Sequence, residues 1–199
     1  MQFQTTRQKQ AQETKQRIIT CALELFNEKD FESVAITEIC KKAGVSNGHF
    51  YNYFDSKETL LMLEYPAFDE YVKSEFIRQK FDTALDAVRE LICQQVIGVN
   101  DIGPNLFSQM LRVQLRQQGK YVLETNRFFH KHLHKLIQTA VDNGELAPSC
   151  NVSELVEMIL RLSRGMLFDW SMRRGPYRIE KRMVKDLDIL LRSFKPSDE

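Results

Sequence analysis

The sequence predicts an all-α protein: a small three-helix head followed by a larger helical body. Three observations carry that expectation. Apolar residues recur at a helical period along nearly the whole chain, and no stretch alternates as a strand does. Only five prolines and eight glycines interrupt the 199 residues, which favours long helices. The segment Ile36–Glu58, ITEICKKAGVSNGHFYNYFDSKE, reads as a helix-turn-helix running into the start of another helix.

Residues 1–11 are polar and Gln-rich, and are expected to form a flexible arm. The first helix follows to about Asn27, with Ile18, Ile19, Ala22, Leu23, Leu25 and Phe26 on its apolar stripe. Lys29-Asp30-Phe31 turns the chain, and Asp30 is tolerable there if the turn needs a left-handed residue. Thr37 is placed to cap the second helix, with Glu38 in its first turn where the helix dipole favours an anion. Gly44 is the turn glycine, and Ser46 caps the third helix. Ser56 caps a fourth that runs toward Phe76. The head is therefore assigned to 12–56 and the body to 57–199.

In the body the period predicts helices near 81–98, 105–117, 120–143, 152–173 and 179–194. Gly98–Pro104, Gly119, Gly144–Pro148 and Gly175-Pro176 are the breaks. Asn151-Val-Ser-Glu154 resembles a capping box for the penultimate helix. That helix is apolar nearly all round, which requires burial on more than one side. Its Leu155, Ile159, Leu160, Ser163 and Leu167 are read as a dimer seam with Met183, Leu187, Leu190 and Phe194 of the last helix. Ser163 and Gly165 would let a neighbouring helix come close. The alternative is that both helices are purely internal core.

A net charge of +1 gives no argument for nucleic acid, and the first sixty residues balance as well. The argument for DNA is local. Ile39, Cys40, Ala43, Val45, Phe50 and Tyr53 are the positions that pack the helix-turn-helix. Ser46, Asn47, Gly48, His49 and Tyr51 are left pointing outward. They are small or hydrogen-bonding and none is acidic, as a helix in the major groove requires. Lys41, Lys42 and Lys57 flank that helix.

Other chemistry finds little support. Cys21, Cys40, Cys93 and Cys150 form no CxxC pair and read as reduced thiols, with a redox sensor as the alternative. His130, His132 and His134 suggest a metal, but only His130 and His134 share a helix face and no acid completes the set. No metal or cofactor is expected. There is no Gly-rich phosphate loop, HExxH or nucleophile motif, so no enzyme is expected. No apolar run approaches the roughly 20 residues that span a bilayer, and the N-terminal MQFQTTRQKQ has no apolar signal region; a cytoplasmic protein is expected.

RIITCALELF at Arg17–Phe26, DFESVAITEIC at Asp30–Cys40 and KAGVSNGHFYNYFDSKETLL at Lys42–Leu61 together resemble the TetR family of bacterial transcriptional regulators. GMLFDWSMRRG at Gly165–Gly175 is similar to a late helix of some members. The resemblance implies a homodimer that reads a palindromic DNA operator and is released by a small-molecule effector. By motif position, Asn47, Gly48 and His49 would face base edges, while Thr37, Tyr51, Tyr53 and Lys57 would hold phosphates. A cation at a helix start is unfavourable by itself, so at Lys57 a bound phosphate would reverse the sign. Core aromatics are the plainer reading of Tyr51 and Tyr53, an exposed bystander that of His49, and a solvated lysine that of Lys57.

That fold would set Phe68, Tyr71, Phe107, Met110 and Leu111 around one cavity with Gln114, Tyr121, Phe128, Met166 and Trp170. The lining is aromatic and Met-rich without a basic cluster, so the expected effector is neutral or weakly polar and hydrophobic. A helical binding or interaction protein with a retired head, and an enzyme whose site only the fold assembles, are the competing functions.

Overall fold

The computed structural model describes residues 6–196. Among the described residues there are nine α-helices, one 3-10 turn at Phe31–Ser33 and no strand. The helices are α1 Thr6–Glu28, α2 Ile36–Ala43, α3 Asn47–Tyr51, α4 Lys57–Ile77 and α5 Ala84–Ile102. They continue with α6 Pro104–Arg116, α7 Phe128–Asp142, α8 Val152–Met172 and α9 Glu180–Arg192. No helix among the described residues is long and apolar enough to cross a membrane. The chain divides into two compact units, Met1–Tyr65 and Pro66–Glu199. The division falls inside α4, beside the internal Pro66, rather than at 56/57. Leu60 and Leu61, in the first turns of α4, are fully buried and belong to the first unit.

The first unit is built on the apolar stripe of α1, where Ile18, Ala22, Leu25 and Phe26 are buried. Phe26 meets the ring of Phe31 edge-on at 4.8 Å. Ile39, Cys40 and Ala43 of α2 complete this core together with Phe50 and Phe54. Phe54 extends the packing positions read from the sequence, whereas Val45 and Tyr53 are only half-buried.

In the second unit α5 is central and packs against α6, α7 and α9, while α8 packs against α6, α7 and α9. Val88, Leu91, Ile92 and Val96 of α5 share one core with Leu133 and Ile137 of α7, Leu155 and Ile159 of α8, and Leu187 of α9. The start of α5 is capped from far along the chain: the Glu145 carboxylate accepts from the amides of Ala84 and Leu85, both at 2.9 Å. Those amides have no intrahelical acceptor, and the helix dipole favours an anion beside them. The Asn151 side chain accepts from the amide of Glu154 at 3.2 Å, so the expected cap of α8 forms.

Four local expectations are corrected. Residues 6–11 are the first turns of α1, not an arm; residues 1–5 of that expected arm lie outside the described residues. Asp30 is extended (φ −62°, ψ 132°), so the turn needs no left-handed residue. Thr37 lies inside α2, whose N-cap is Ala35, with no side-chain cap. The helix expected at 120–143 begins only at Phe128, because Gln118 and Gly119 take positive φ and the Gln114 side-chain carbonyl collects the amides of Tyr121 and Val122. Conversely α5 runs on through Gly98, where the Phe68 ring lies so close that it leaves no room for a Cβ.

Candidate functional site

The helix-turn-helix is assembled by backbone chemistry that its sequence specifies. Gly44 takes the left-handed conformation (φ 66°, ψ 38°) that ends α2, a region costly for other residues. The Arg17 guanidinium of α1 donates to the Ala43 carbonyl at 2.9 Å, satisfying one of the acceptors left open at the end of α2. Ser46 is extended, and its hydroxyl accepts from the His49 amide at 3.2 Å, which starts α3 as expected. Phe50 is then driven inward and fully buried, while Asn47, Gly48 and His49 stay exposed on the other side.

The outward face extends past α3. Tyr51 is 55% exposed, with its ring edge-on to Phe50 at 5.5 Å, so it is not a core aromatic. Tyr53 is half-buried, and its ring runs nearly parallel to that of His49 at 6.3 Å. Thr37 is exposed on the first turn of α2. The flanking lysines differ in their partners. Lys41 is exposed. Lys42 pairs with Glu24 at 3.0 Å and Glu28 at 3.6 Å on α1, and the Glu24 hydrogen bond foremost raises its pKa. Lys57, expected to hold a phosphate, donates to the carbonyls of Phe31, Glu32 and Val34 at 2.7, 3.2 and 3.1 Å.

Of the residues expected around a cavity, Phe107 and Trp170 are part of the second unit's buried core. Phe68, Leu111, Phe128 and Met166 pack against that core while half-buried. Met110 and Gln114 are buried, Tyr121 is half-buried and Tyr71 is 39% exposed. The polar handles are already engaged: Trp170 donates to the Tyr177 carbonyl at 2.8 Å, and Gln114 holds the turn that precedes α7. Beside them is an ion pair that the sequence did not suggest. The Arg127 guanidinium grips Asp69 of α4 with two hydrogen bonds, at 2.7 and 2.5 Å, and also donates to the Tyr121 carbonyl at 3.1 Å.

The seam residues are the clearest correction. Leu155, Ile159, Leu160, Ser163, Leu167, Met183 and Leu187 are buried inside the second unit's own core, and Ser163 donates to the side chain of Gln95 on α5. Leu190 and Phe194 are half-buried. The apolar surface on these helices lies on the other side. Phe168, Met172 and Ile189 are 48, 62 and 52% exposed. Met158, Arg161, Leu162, Asp186, Ile189, Leu190 and Ser193 line a groove of about 540 Å³ between α8 and α9.

The three histidines go separate ways. On α7, His130 lies 3.5 Å from the Glu157 carboxylate and His134 lies 3.5 Å from the Ser153 hydroxyl, both partners on α8. The His132 ring stacks on Phe128 at 4.8 Å and meets Phe76 edge-on. Burial raises the pKa of Cys40 and Cys150, and pushes Cys93 up to about 11 with help from Glu90 and Glu180. Such thiols stay protonated and unreactive near neutrality.

Residues 18–62 match the family model of bacterial regulatory proteins of the tetR family. The regulator UidR of Escherichia coli strain K12 is 24% identical over 171 residues, covering 81% of this chain and 84% of UidR. Among solved structures, a TetR-family transcriptional regulator of Syntrophomonas wolfei superposes with a TM-score of 0.66 at 20% identity, covering 92% of this chain and 94% of that one. The Bacillus subtilis regulator FadR, solved in complex with stearoyl-CoA, superposes at 0.63 with 18% identity, covering 88% and 97%. The helix-turn-helix geometry and the matched family model agree over residues 18–62: this segment is a helix-turn-helix of the tetR-family type, and the chain as a whole has an all-helical fold similar to that of TetR-family regulators.

Proposed function

We propose that the chain is a ligand-responsive repressor that binds a palindromic operator as a homodimer, acts in the cytoplasm and is released by a small hydrophobic effector. One observation carries the DNA-reading assignment. A Cβ added at Gly48 would meet nothing nearer than the Ser46 hydroxyl at 3.9 Å, so nothing within the protein requires glycine there. Glycine inside a helix costs about 1 kcal/mol relative to alanine, and close approach of a groove wall accounts for accepting that cost. Asn47 and His49 on either side supply the hydrogen-bonding groups that read base edges. Thr37, Tyr51 and Tyr53 border them and would hold the flanking phosphates, with Ser46 shaping the start of the reading helix.

The dimer face in this reading is the outer stripe of α8 and α9, not the buried set. Phe168, Met172 and Ile189 supply its apolar surface. Arg161 and Asp186 lie along the same groove, and wherever a two-fold axis sets one of them against the other's copy, the reverse pair forms as well. The effector site is assigned to the second unit near Phe68, Phe107, Phe128 and Met166. Effector binding must favour the DNA-incompetent arrangement, since equal affinity for both would shift nothing.

Selection of genomic fragments by the purified protein tests the whole reading. The expected result is a palindrome with half-sites about one helical turn or a multiple apart, bound with steep salt dependence. Recovery of no common sequence, or binding insensitive to salt, would favour a helical binding protein with a retired head.

A further inference from the structure

Two histidines of α7 present the same ring nitrogen to the same neighbouring helix. His130 and His134 are one turn apart and share a helix face. The His130 Nε2 lies 3.5 Å from the Glu157 carboxylate, and the His134 Nε2 lies 3.5 Å from the Ser153 hydroxyl. Ser153 and Glu157 are in turn one turn apart on α8, so the pairs 130–157 and 134–153 form neighbouring rungs between two antiparallel helices. The acid that α7 lacks in its own sequence is thus brought to the histidine pair by the fold.

Two imidazoles and a carboxylate are a ligand set for zinc and its divalent neighbours, with a fourth position left for water. Histidines four residues apart on a helix chelate a single ion, because their rings can meet over the turn between them. The third distance also fits. Donors each ~2.1 Å from a tetrahedral ion stand ~3.4 Å from one another. The 3.5 Å between His130 and Glu157 is close to that edge and long for an N–H···O hydrogen bond. The other Glu157 oxygen lies 3.5 Å from the Arg164 guanidinium, which also donates to the Leu160 carbonyl at 3.0 Å. Such an outer partner orients a ligating carboxylate. An ion can reach the place, since the side chains of His130 and Glu157 are 20% and 45% exposed. Among the described residues no three His, Cys, Asp or Glu side chains are already gathered about one point. Closing this set takes rotation of the half-buried His134 ring from Ser153 toward Glu157, with no change of backbone.

We propose that His130, His134 and Glu157 bind one divalent transition-metal ion of the zinc type, which ties α7 to α8. Each imidazole ligates through Nε2 as the neutral ring, with its proton on Nδ1. His132 takes no part, because its ring is engaged with Phe128 and Phe76. The site does not depend on whether the head reads DNA.

The test uses the full chain without a histidine tag, stripped with a chelator and titrated with ZnCl₂ by calorimetry. Wild type is expected to take up one Zn²⁺ per chain. His130→Ala, His134→Ala and Glu157→Gln should each weaken uptake at least about tenfold, whereas His132→Phe should bind as wild type does. Co²⁺ in place of zinc should give the strong visible bands of a four-coordinate ion without thiolate charge-transfer bands. Circular dichroism checks that each variant is folded, as expected for side chains that reach solvent. If one is not, zinc protection of the wild-type histidines from diethyl pyrocarbonate decides. Protection of His130 and His134 but not His132 supports the site, and protection of neither overturns it. Absence of saturable uptake, or uptake unchanged by either alanine variant, would overturn the proposal. Unchanged affinity in Glu157→Gln would overturn it as well, leaving a bare histidine pair, and thiolate bands with Co²⁺ would place the ion on the cysteines instead.

Discussion

At Gly48 stability and function should pull in opposite directions. The residue is helical and its surroundings are open, so Gly48→Ala relieves the entropic cost of glycine without strain. Thermal or chemical denaturation should show a gain of about 0.5–1 kcal/mol, while operator affinity falls because the new methyl meets the groove wall. A variant that gains stability and binds as tightly as wild type would remove the close-approach argument. Asn47→Ala should instead relax preference at one base position by roughly 1–3 kcal/mol, read by competition with substituted operators. The outward set at 46–49 was legible in the sequence because a turn glycine and a serine cap fix the phase of α3. The partners of Lys57 were not, since they are main-chain carbonyls some 25 residues earlier, and backbone acceptors leave no mark in composition. His132 is a second case. Its burial between Phe128 and Phe76 foremost, and Lys135 next, lower its pKa below the ordinary 6.5. The unfolded chain then binds the proton more readily, so stability should fall as pH drops below about 6.5 and through the lower folded value. His132→Phe should abolish that part of the acid sensitivity in denaturation curves at pH 5 and 7.

At the scale of the element, α8 shows what periodicity can and cannot settle. Two stripes run along it at spacings of three and four residues. Leu155, Ile159, Ser163, Leu167 and Trp170 form one stripe, and Met158, Leu162, Gly165, Phe168 and Met172 the other. The sequence said that both were apolar and that the helix needed more than one neighbour. Which stripe faced its own core depended on where α5 lay, and no local pattern carries that. The helix expected at 120–143 failed similarly, because the turn at 117–127 is held by the buried Gln114 side chain, which precedes it, and by Arg127, which donates back to the Tyr121 carbonyl. The Arg127–Asp69 pair is itself testable. Its side chains are only 16% and 13% exposed, so Asp69→Asn strands a largely buried guanidinium. Loss of the charge-assisted bonds should cost about 1.5–3 kcal/mol in urea unfolding of the full chain. Glu145→Ala should cost about 1 kcal/mol by uncapping α5, with the N-terminal unit unaffected in near-ultraviolet signal.

For the whole molecule, the placement of the two α8 stripes makes opposite predictions for substitutions that would look alike in the sequence. Leu187 and Leu160 are within the second unit's core, so Leu187→Glu or Leu160→Glu buries an unpaired carboxylate inside one protomer. Such a change should cost several kcal/mol and yield insoluble or unfolded protein, not a soluble monomer. Phe168 and Ile189 lie on the exposed face, where glutamate is well solvated in a single chain. In a two-fold interface each substitution occurs twice, and Phe168→Glu would set two carboxylates against the same apolar patch. Phe168→Glu and Ile189→Glu should therefore keep full helical content and normal melting while light scattering falls from dimer to monomer. Operator binding should fall with it, because each head alone reaches only one half-site and loses the gain from linking two. Arg161→Asp should weaken the dimer, and Asp186→Arg in the same chain should restore it if the two residues pair across the axis. A wild-type chain that scatters as a stable monomer at micromolar concentration, or a Phe168→Glu variant that remains dimeric, would move the interface away from this face. Effector response then offers a separate check, because a coupling of about 1–3 kcal/mol needs both heads held in one assembly. A compound that changes Trp170 fluorescence in the Phe168→Glu monomer, yet has no effect on that monomer's residual DNA binding, would place the effector site within a single protomer and the switch in the pairing of two.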